Sequence, residues 1–284
     1  MQACPELTVE IEETINRATD WSCRNQHPGG HWVGFLETNC TMEAEWILGM
    51  HILGVKDDPK KEGVLKAIRT MQRPDGAWEV YHEAESGDMN ATVECYAALR
   101  ASGAGAHEPH MIRAREWILS HGGVESCRVF TKIWLAMLGE WPWDGTPTLP
   151  PEIVHFPLKF PFSLYNFASW ARATIVPLCV ISARRPVVPL APGCTLDELF
   201  PKGRKGRHTK LPRPKGFGWA KFFWVADKAL RAYQKYSPIK PFRENAIKNC
   251  LEWILSRQEA DGCWAGIQPP WIYSLMALRF EGYP

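Results

Sequence analysis

Three charged side chains stand in segments that are otherwise strongly apolar. Glu45 lies within TMEAEWILGMHILG (41–54), Glu94 lies within ATVECYAALRASG (91–103), and Arg128 begins a third apolar segment. A charge that is removed from water needs a partner of opposite charge or hydrogen bonds. The sequence therefore predicts a buried polar network that joins these segments. It leaves open whether that network only ties helices together or also takes part in chemistry.

The other acidic residues near apolar segments are explained by local structure. Asp57 and Asp58, in GVKDDPKK, lie in a charged loop. Asp88 comes just before the apolar stretch of DMNATVECYAAL (88–99), where a carboxylate can accept hydrogen bonds from the first backbone N–H groups of a helix. We therefore predict that Asp88 is a helix N-cap.

Composition and spacing argue against several classes of site. HEPH (107–110) contains a proline, and there is no H-E-x-x-H or C-x-x-C pair, so we expect no metal and no cofactor. The nine cysteines are odd in number and favour reduced, mostly buried thiols. A net charge of +2 does not suggest a nucleic-acid partner. No run of about 18 apolar residues is present to span a membrane.

A turn motif, Gln-x-x-(Asp or Gly)-Gly-x-Trp, recurs three times, in NQHPGGHW (25–32), MQRPDGAW (71–78) and RQEADGCW (257–264). Its glycine supplies the positive φ of a tight turn. We expect the glutamine to bind a neighbouring helix end and the tryptophan to stack beside it. The residues that we expect to be structural for this reason are Gln26, Trp32, Gln72, Asp75, Gly76, Trp78, Gln258, Asp261, Gly262 and Trp264.

Helical segments flank these turns. LEWILSRQ (251–258) precedes the third copy, and a second helix that ends in glycine follows each copy. The repeating unit is helix, turn and helix, with a length of about 45 residues. Such units cannot bury their apolar faces alone and are predicted to stack into a ring or solenoid.

Two insertions, at 142–163 and 186–215, interrupt the repeats. The first is rich in proline and is predicted to be extended, and a helix is predicted at 164–183. The second ends in a basic stretch without acidic residues, which is followed by the helix GFGWAKFFWVADKALRAYQK (216–235). On that helix we expect one face to pack inward and another to remain for an interface. The inward residues are Trp219, Phe222, Phe223, Ala226 and Leu230, and the interface residues are Trp224 and Val225.

These motifs resemble the N-terminal part of bacterial squalene–hopene cyclases, the class II triterpene cyclases whose QW motifs have this pattern. TMEAEW, ESCRVFTKIWLAMLGEWPW, SWARAT and GIQPPWIYSLMAL carry the resemblance together with the three turns, from near Glu10 to the C-terminus. The resemblance implies an all-α fold, an α/α-barrel (toroid) that is one of the two barrels of the family. Residues 1–40 would form the N-terminal helix and first turn, and residues 41–284 the barrel domain.

The resemblance also assigns roles in the cyclisation of squalene, or a related linear isoprenoid, to hopene or hopanol. Phe130, Trp170, Ile267, Gln268 and Pro269 match residues that line the cavity. Phe167 and Ile175, eight positions apart on the predicted helix, match the constriction between a membrane channel and the cavity. The residues that match the network ordering the terminating water are Glu45, Glu94, Arg128, Trp134, Gln268 and Tyr273.

The family starts the reaction with a protonated aspartic acid in an Asp-x-Asp-Asp motif. No such string occurs in the 284 residues, and the partial match after Asp88 has Asn90 and Ala91 in place of acids. We therefore expect the catalytic C-terminal barrel to be absent and the chain to be inactive alone, with a C-terminal cyclase half or another copy of the chain as a partner. A non-catalytic, membrane-associated lipid-binding module is the alternative.

By the same resemblance, the protein would be monotopic on the cytoplasmic side of the cell membrane. Basic side chains attract anionic headgroups by about 1 kcal/mol per charge. The expected membrane contacts are Lys202, Arg204, Lys205, Arg207, Phe217, Trp224 and Val225.

Overall fold

The computed structural model describes residues 5–33, 38–206, 209, 211, 213–237 and 240–283. It divides into two units after Thr38, two residues before the predicted boundary. The smaller unit contains helix α1 (Pro5–Arg24) and the first QW turn. All regular secondary structure in the described ranges is helical, which confirms the predicted fold class.

The larger unit has inner helices that are buried on most sides and outer helices that bury one face. Inner helix α2 packs against inner helices α4 and α11, α4 also contacts α6, and α11 packs against α7. The outer helices α3, α5 and α10 pack on α2, α4 and α7. This layering is that of an α/α toroid. The bounds are α2 Thr41–Leu53, α3 Lys61–Thr70, α4 Met89–Ala101, α5 Pro109–Ser120, α6 Val129–Met137, α7 Ser169–Arg184, α8 Gly203–Gly206, α9 Trp219–Tyr236, α10 Arg243–Leu255 and α11 Gln268–Phe280.

Each QW tryptophan caps the helix that precedes its turn. The last carbonyl groups of a helix have no partner within the helix, and the indole N–H supplies one. The sequence analysis expected the tryptophan only to stack, so capping by its indole was not predicted. In each copy the indole donates to the carbonyl four residues before the glutamine: Trp32 to Ser22 (2.7 Å), Trp78 to Ile68 (2.7 Å) and Trp264 to Ile254 (2.8 Å).

Each QW glutamine binds the glycine carbonyl of its own turn, and in the second copy it also reaches the next outer helix. The Gln72 side-chain amide donates to the carbonyl of Gly76 and to that of His110, in the first turn of α5, both at 2.9 Å. Gly76 has φ +93°, and a Cβ there would lie 2.5 Å from the backbone carbonyl carbon of Arg113. Gln72 thus binds the end of a neighbouring helix, as the sequence predicts.

Replacing Trp78 by phenylalanine tests the capping role. The change keeps an aromatic ring but removes the donor to Ile68, so we expect the free energy of unfolding to fall by about 1–3 kcal/mol. Urea unfolding followed by circular dichroism measures it. The control is Trp32→Phe, which removes the equivalent bond from a side chain that is 53% exposed, and should cost less. Equal losses would show that burial adds nothing to the cap.

The start of α7 differs from the predicted helix at 164–183. Leu164–Asn166 form a 3₁₀ turn, Phe167 and Ala168 are extended, with ψ of 154° and 155°, and α7 begins at Ser169. The Asn166 side chain, which bonds the carbonyls of the preceding proline-rich segment, helps to fix this turn. The prediction that Phe167 shares a helical face with Ile175 is therefore wrong.

Candidate functional site

The candidate site lies where inner helices begin. The Gln268 side chain, at the start of α11, donates to the carbonyl of Met42 in the first turn of α2 (2.8 Å). The backbone N–H of Arg128 donates to the side-chain oxygen of Asn90, on α4, at 2.7 Å. Side-chain hydrogen bonds thus join α11 to α2 and α6 to α4.

Glu45 is a buried carboxyl group, and only one of its two oxygens has a described hydrogen-bond partner. Its Oε1 accepts a hydrogen bond from the indole of Trp134 (2.9 Å), and its Oε2 is buried with no hydrogen-bond partner among the described residues. Burial, reinforced by the nearby charge of Glu94, raises the pKa of Glu45 to about 8. At neutral pH this side chain is therefore largely a neutral acid.

Glu94 is the second buried carboxyl group. Its Oε1 accepts from the Thr131 hydroxyl (2.5 Å) and lies 3.6 Å from the Arg128 guanidinium, whereas its Oε2 is buried without a described partner. Burial raises the pKa of Glu94 to about 7, although the Thr131 hydrogen bond and the Arg128 charge act in the opposite direction. Glu94 can therefore gain or lose a proton near neutral pH.

Aromatic rings surround the pair. Trp134 and Tyr273 are buried, with ring centroids 5.5 Å apart. Burial, together with the charges of Glu45 and Glu94, raises the pKa of the Tyr273 hydroxyl well above its ordinary value. The predicted network thus forms two groups: Glu45, Trp134 and Tyr273 in one, and Glu94 and Arg128 in the other. Gln268 is bonded to α2 instead.

Several residues expected to line the cavity lie at the surface of the chain. Phe130 is 46% exposed and Trp170 is 60% exposed, and Ile267 and Phe167 are exposed as well. Gln268, Pro269 and Ile175 are half-buried. The cavity-lining role expected for these residues therefore stays a prediction.

The prediction for the two faces of α9 needs correction, because no described residue of this helix is buried. Trp219 (70% exposed), Phe222 and Phe223 contact one another and Phe162, with ring centroids 5.4–6.2 Å apart. The prediction that this face packs inward is wrong, because it meets the proline-rich segment rather than the core. The other members of the predicted inward set, Ala226 and Leu230, are half-buried.

The outward face was also only partly predicted. Trp224 is half-buried under the ammonium group of Lys228, which lies 3.7 Å from the ring centroid, whereas Val225 and Phe217 are exposed.

The basic stretch contains one residue that is already paired. Arg204 forms ion pairs with Asp197, seven residues before it, and with Glu140, which is 64 residues before it in the sequence. Lys202 and Lys205 are exposed, and Arg207 lies outside the described residues. In the described part of the chain, no helix has the length and apolarity needed to cross a bilayer, and no cluster of three His, Cys, Asp or Glu side chains could hold a metal.

Comparison with known sequences identifies the family. Residues 15–284 match the squalene-hopene cyclase N-terminal domain. The chain belongs to the squalene–hopene cyclase family. It spans about two fifths of the length of the curated relatives it matches.

Three relatives show the range of the family. The squalene–hopene cyclase of Alicyclobacillus acidocaldarius is 42% identical over 94% of this chain and 41% of its own length. The squalene–hopene cyclase of Zymomonas mobilis is 35% identical over 98% of this chain and 42% of its own length. The dammaradiene synthase of Dryopteris crassirhizoma is 34% identical over 96% of this chain and 39% of its own length.

Two residues of this cyclase-family site were missed by the sequence analysis. Asn90 accepts from the N–H of Arg128, and its side-chain oxygen lies 3.3 Å from the hydroxyl oxygen of Thr131, whose proton is donated to Glu94. Both are common polar residues at the start of helices, so only their position beside the two buried acids distinguishes them.

The carboxyl pair makes stability depend on pH. The folded-state pKa values of Glu45 (about 8) and Glu94 (about 7) lie above the ordinary value of 4.5. At pH values between 4.5 and these raised pKa values, the folded state therefore binds more protons than the unfolded state. Stability should therefore fall as pH rises from about 4.5 to about 8. We expect the melting temperature of Glu45→Gln to fall less over this range. If the melting temperature of Glu45→Gln fell with pH as steeply as that of the wild type, the burial of a neutral acid would be contradicted.

Proposed function

We propose that this chain forms the N-terminal half of a squalene–hopene cyclase and supplies the end of the cavity where cyclisation of squalene terminates. The observation that carries the proposal is the pair Glu45 and Glu94, each of which is buried and has one oxygen without a hydrogen-bond partner in the part of the chain that the structure describes. The family match and the exposed aromatic side chains of Phe130 and Trp170 support it.

The pair suits the last step of a cationic cyclisation. The final carbocation either loses a proton to give an alkene or is attacked by water, which then loses a proton to give an alcohol. Glu45 and Glu94 can hold that water through their open oxygens, and Glu94, with a pKa near neutral, can accept the proton. The rings of Phe130 and Trp170 can stabilise cationic intermediates through cation–π interactions.

These 284 residues do not supply the initiating acid of the family. The sequence contains no Asp-x-Asp-Asp string. Asp88, the remaining partial match, uses its Oδ1 to accept from the N–H groups of Asn90 (2.8 Å) and Ala91 (2.9 Å), so it is the predicted N-cap of α4. We expect the chain to need an acid-bearing C-terminal cyclase half.

Mixing the two halves tests this function. The purified chain is incubated with squalene in detergent, alone and with a separately expressed C-terminal part of the Alicyclobacillus cyclase, and products are identified by gas chromatography and mass spectrometry. We expect polycycles only from the mixture. Product from the chain alone would contradict the need for an initiating acid from the C-terminal half. A stable complex of the halves that gives no product would contradict the cyclase function.

A role at the cytoplasmic face of the cell membrane is part of the proposal. The exposed cluster of Trp219, Phe222 and Phe223 supports it, because these rings form an apolar surface of the kind that enters a bilayer interface. Membrane binding without cyclisation would instead make the chain a non-catalytic lipid-binding module, which is the second candidate function.

Flotation with phospholipid vesicles tests the membrane contact. Phe222→Ser/Phe223→Ser should release the chain from the vesicles, because it removes two exposed rings. Tyr81→Ser, at a 63% exposed aromatic residue outside α9, is the control. Equal retention of both variants would exclude the α9 surface as the contact. Vesicle binding by the wild-type chain, with no product from the mixture above, would favour the lipid-binding module.

A further inference from the structure

A strongly basic cavity lies away from the site described above. It has a volume of about 690 Å³ and is formed by the end of α7, the second half of α9 and the start of α10. One acidic side chain, Asp144, is among its lining residues. The cationic side chains that line it are Arg185, Lys228, Arg231, Lys235, Lys240 and Arg243.

Acidic partners neutralise the arginines but not the lysines. Each arginine has one carboxylate partner: Arg185 with Asp144 (2.8 Å), Arg231 with Asp227 (2.6 Å) and Arg243 with Glu152 (2.7 Å). Lys228, Lys235 and Lys240 form no ion pair with a carboxylate in the described ranges. Six positive charges against three negative ones leave a surplus of three at this cavity.

Arg243 adds a buried donor that lacks an acceptor. The residue is 6% exposed and its Nε binds Glu152, but its Nη2 is buried with no hydrogen-bond partner among the described residues. An unsatisfied buried N–H of a charged group is costly. Arg243 is among the residues that line the cavity, so a ligand bound there would lie next to this guanidinium group.

We propose that this cavity binds a phosphate group. Phosphate carries nearly two negative charges and three strong acceptor oxygens, which match the surplus lysine charges and the open guanidinium N–H of Arg243. The volume is within the range of small-molecule sites, so it admits a pyrophosphate or the headgroup of an anionic lipid. The proposal does not rest on cyclase activity.

Calorimetric titration of the full chain with sodium pyrophosphate at physiological ionic strength tests the site. We expect saturable binding that weakens by about tenfold in Lys235→Gln/Lys240→Gln, since two charge-assisted contacts are lost. The matched control, Lys66→Gln/Lys248→Gln, removes two exposed charges outside the cavity and should bind as the wild type does. Binding that is absent, or that weakens equally in both variants, would overturn the proposal.

Vesicles then identify the source of the phosphate. The titration is repeated with phosphatidylcholine vesicles that contain phosphatidylglycerol. If these vesicles displace pyrophosphate while pure phosphatidylcholine vesicles do not, the natural ligand is a lipid headgroup. If pyrophosphate binding persists beside the anionic vesicles, the ligand is a soluble phosphate compound. Because the readout is binding alone, it stays separate from the outcome of the cyclisation assay.

Discussion

Replacement of Gly49 by leucine is expected to lower the free energy of unfolding by about 3 kcal/mol, the upper part of the range for overpacked cores. Gly49 lies on α2 where α11 crosses it, and a Cβ there would be 2.4 Å from Cδ1 of Ile272. Leucine would push α11 away from α2 and separate Tyr273, on α11, from Trp134 and Glu45. Chemical unfolding measures the loss.

Two further variants separate this clash from other effects of leucine. Gly63→Leu, on α3, meets open space and should stabilise the chain by up to about 1 kcal/mol through helix propensity. Adding Ile272→Ala to Gly49→Leu should cost at least about 1 kcal/mol less than the sum of the single changes. Additive losses would show that the two side chains do not collide.

Trp170→Ala is expected to lower cyclisation by the mixed halves about 30-fold, with a change in stability of the chain of only about 0.5 kcal/mol. The reason is that the side chain is 60% exposed in this chain, so it supports no core, whereas a cation–π contact in a desolvated cavity contributes about 2 kcal/mol. The initial rate of squalene consumption measures the effect.

Two controls test whether the ring itself is responsible. Trp170→Phe keeps an aromatic face and should retain most of the rate. Tyr81→Ala removes an aromatic side chain that is similarly exposed (63%) but was not matched to the cavity, and should leave the rate unchanged. A loss of the same size in Tyr81→Ala would indicate a general surface effect.

The polar part of the site could be predicted because its signal is local. A glutamate within a continuous apolar helix must be buried, and Glu45 and Glu94 are. An aspartate just before an apolar helix is typical of an N-cap, and Asp88 accepts the expected bonds. In both cases the environment of one side chain follows from its neighbours in sequence.

The missed features depend on residues distant in sequence. Helical periodicity shows that α9 has an apolar face, but it cannot show whether a core lies beneath it, so the exposure of Trp219 was not predicted. Arg204 stood in a stretch without acids, yet Glu140 reaches it from 64 positions away. The cavity around Arg243 likewise forms from separate segments of the chain.

Cyclisation by a chimera tests whether this chain acts as the N-terminal part of a squalene–hopene cyclase. Residues 15–284 of this chain would replace the matching part of the Alicyclobacillus cyclase, which is 42% identical. We expect the chimera to convert squalene to polycycles, and Glu45→Gln in the chimera to shift the ratio of alcohol to alkene. A chimera that folds, as judged by circular dichroism and a cooperative melt, and yet forms no polycycle would contradict this role.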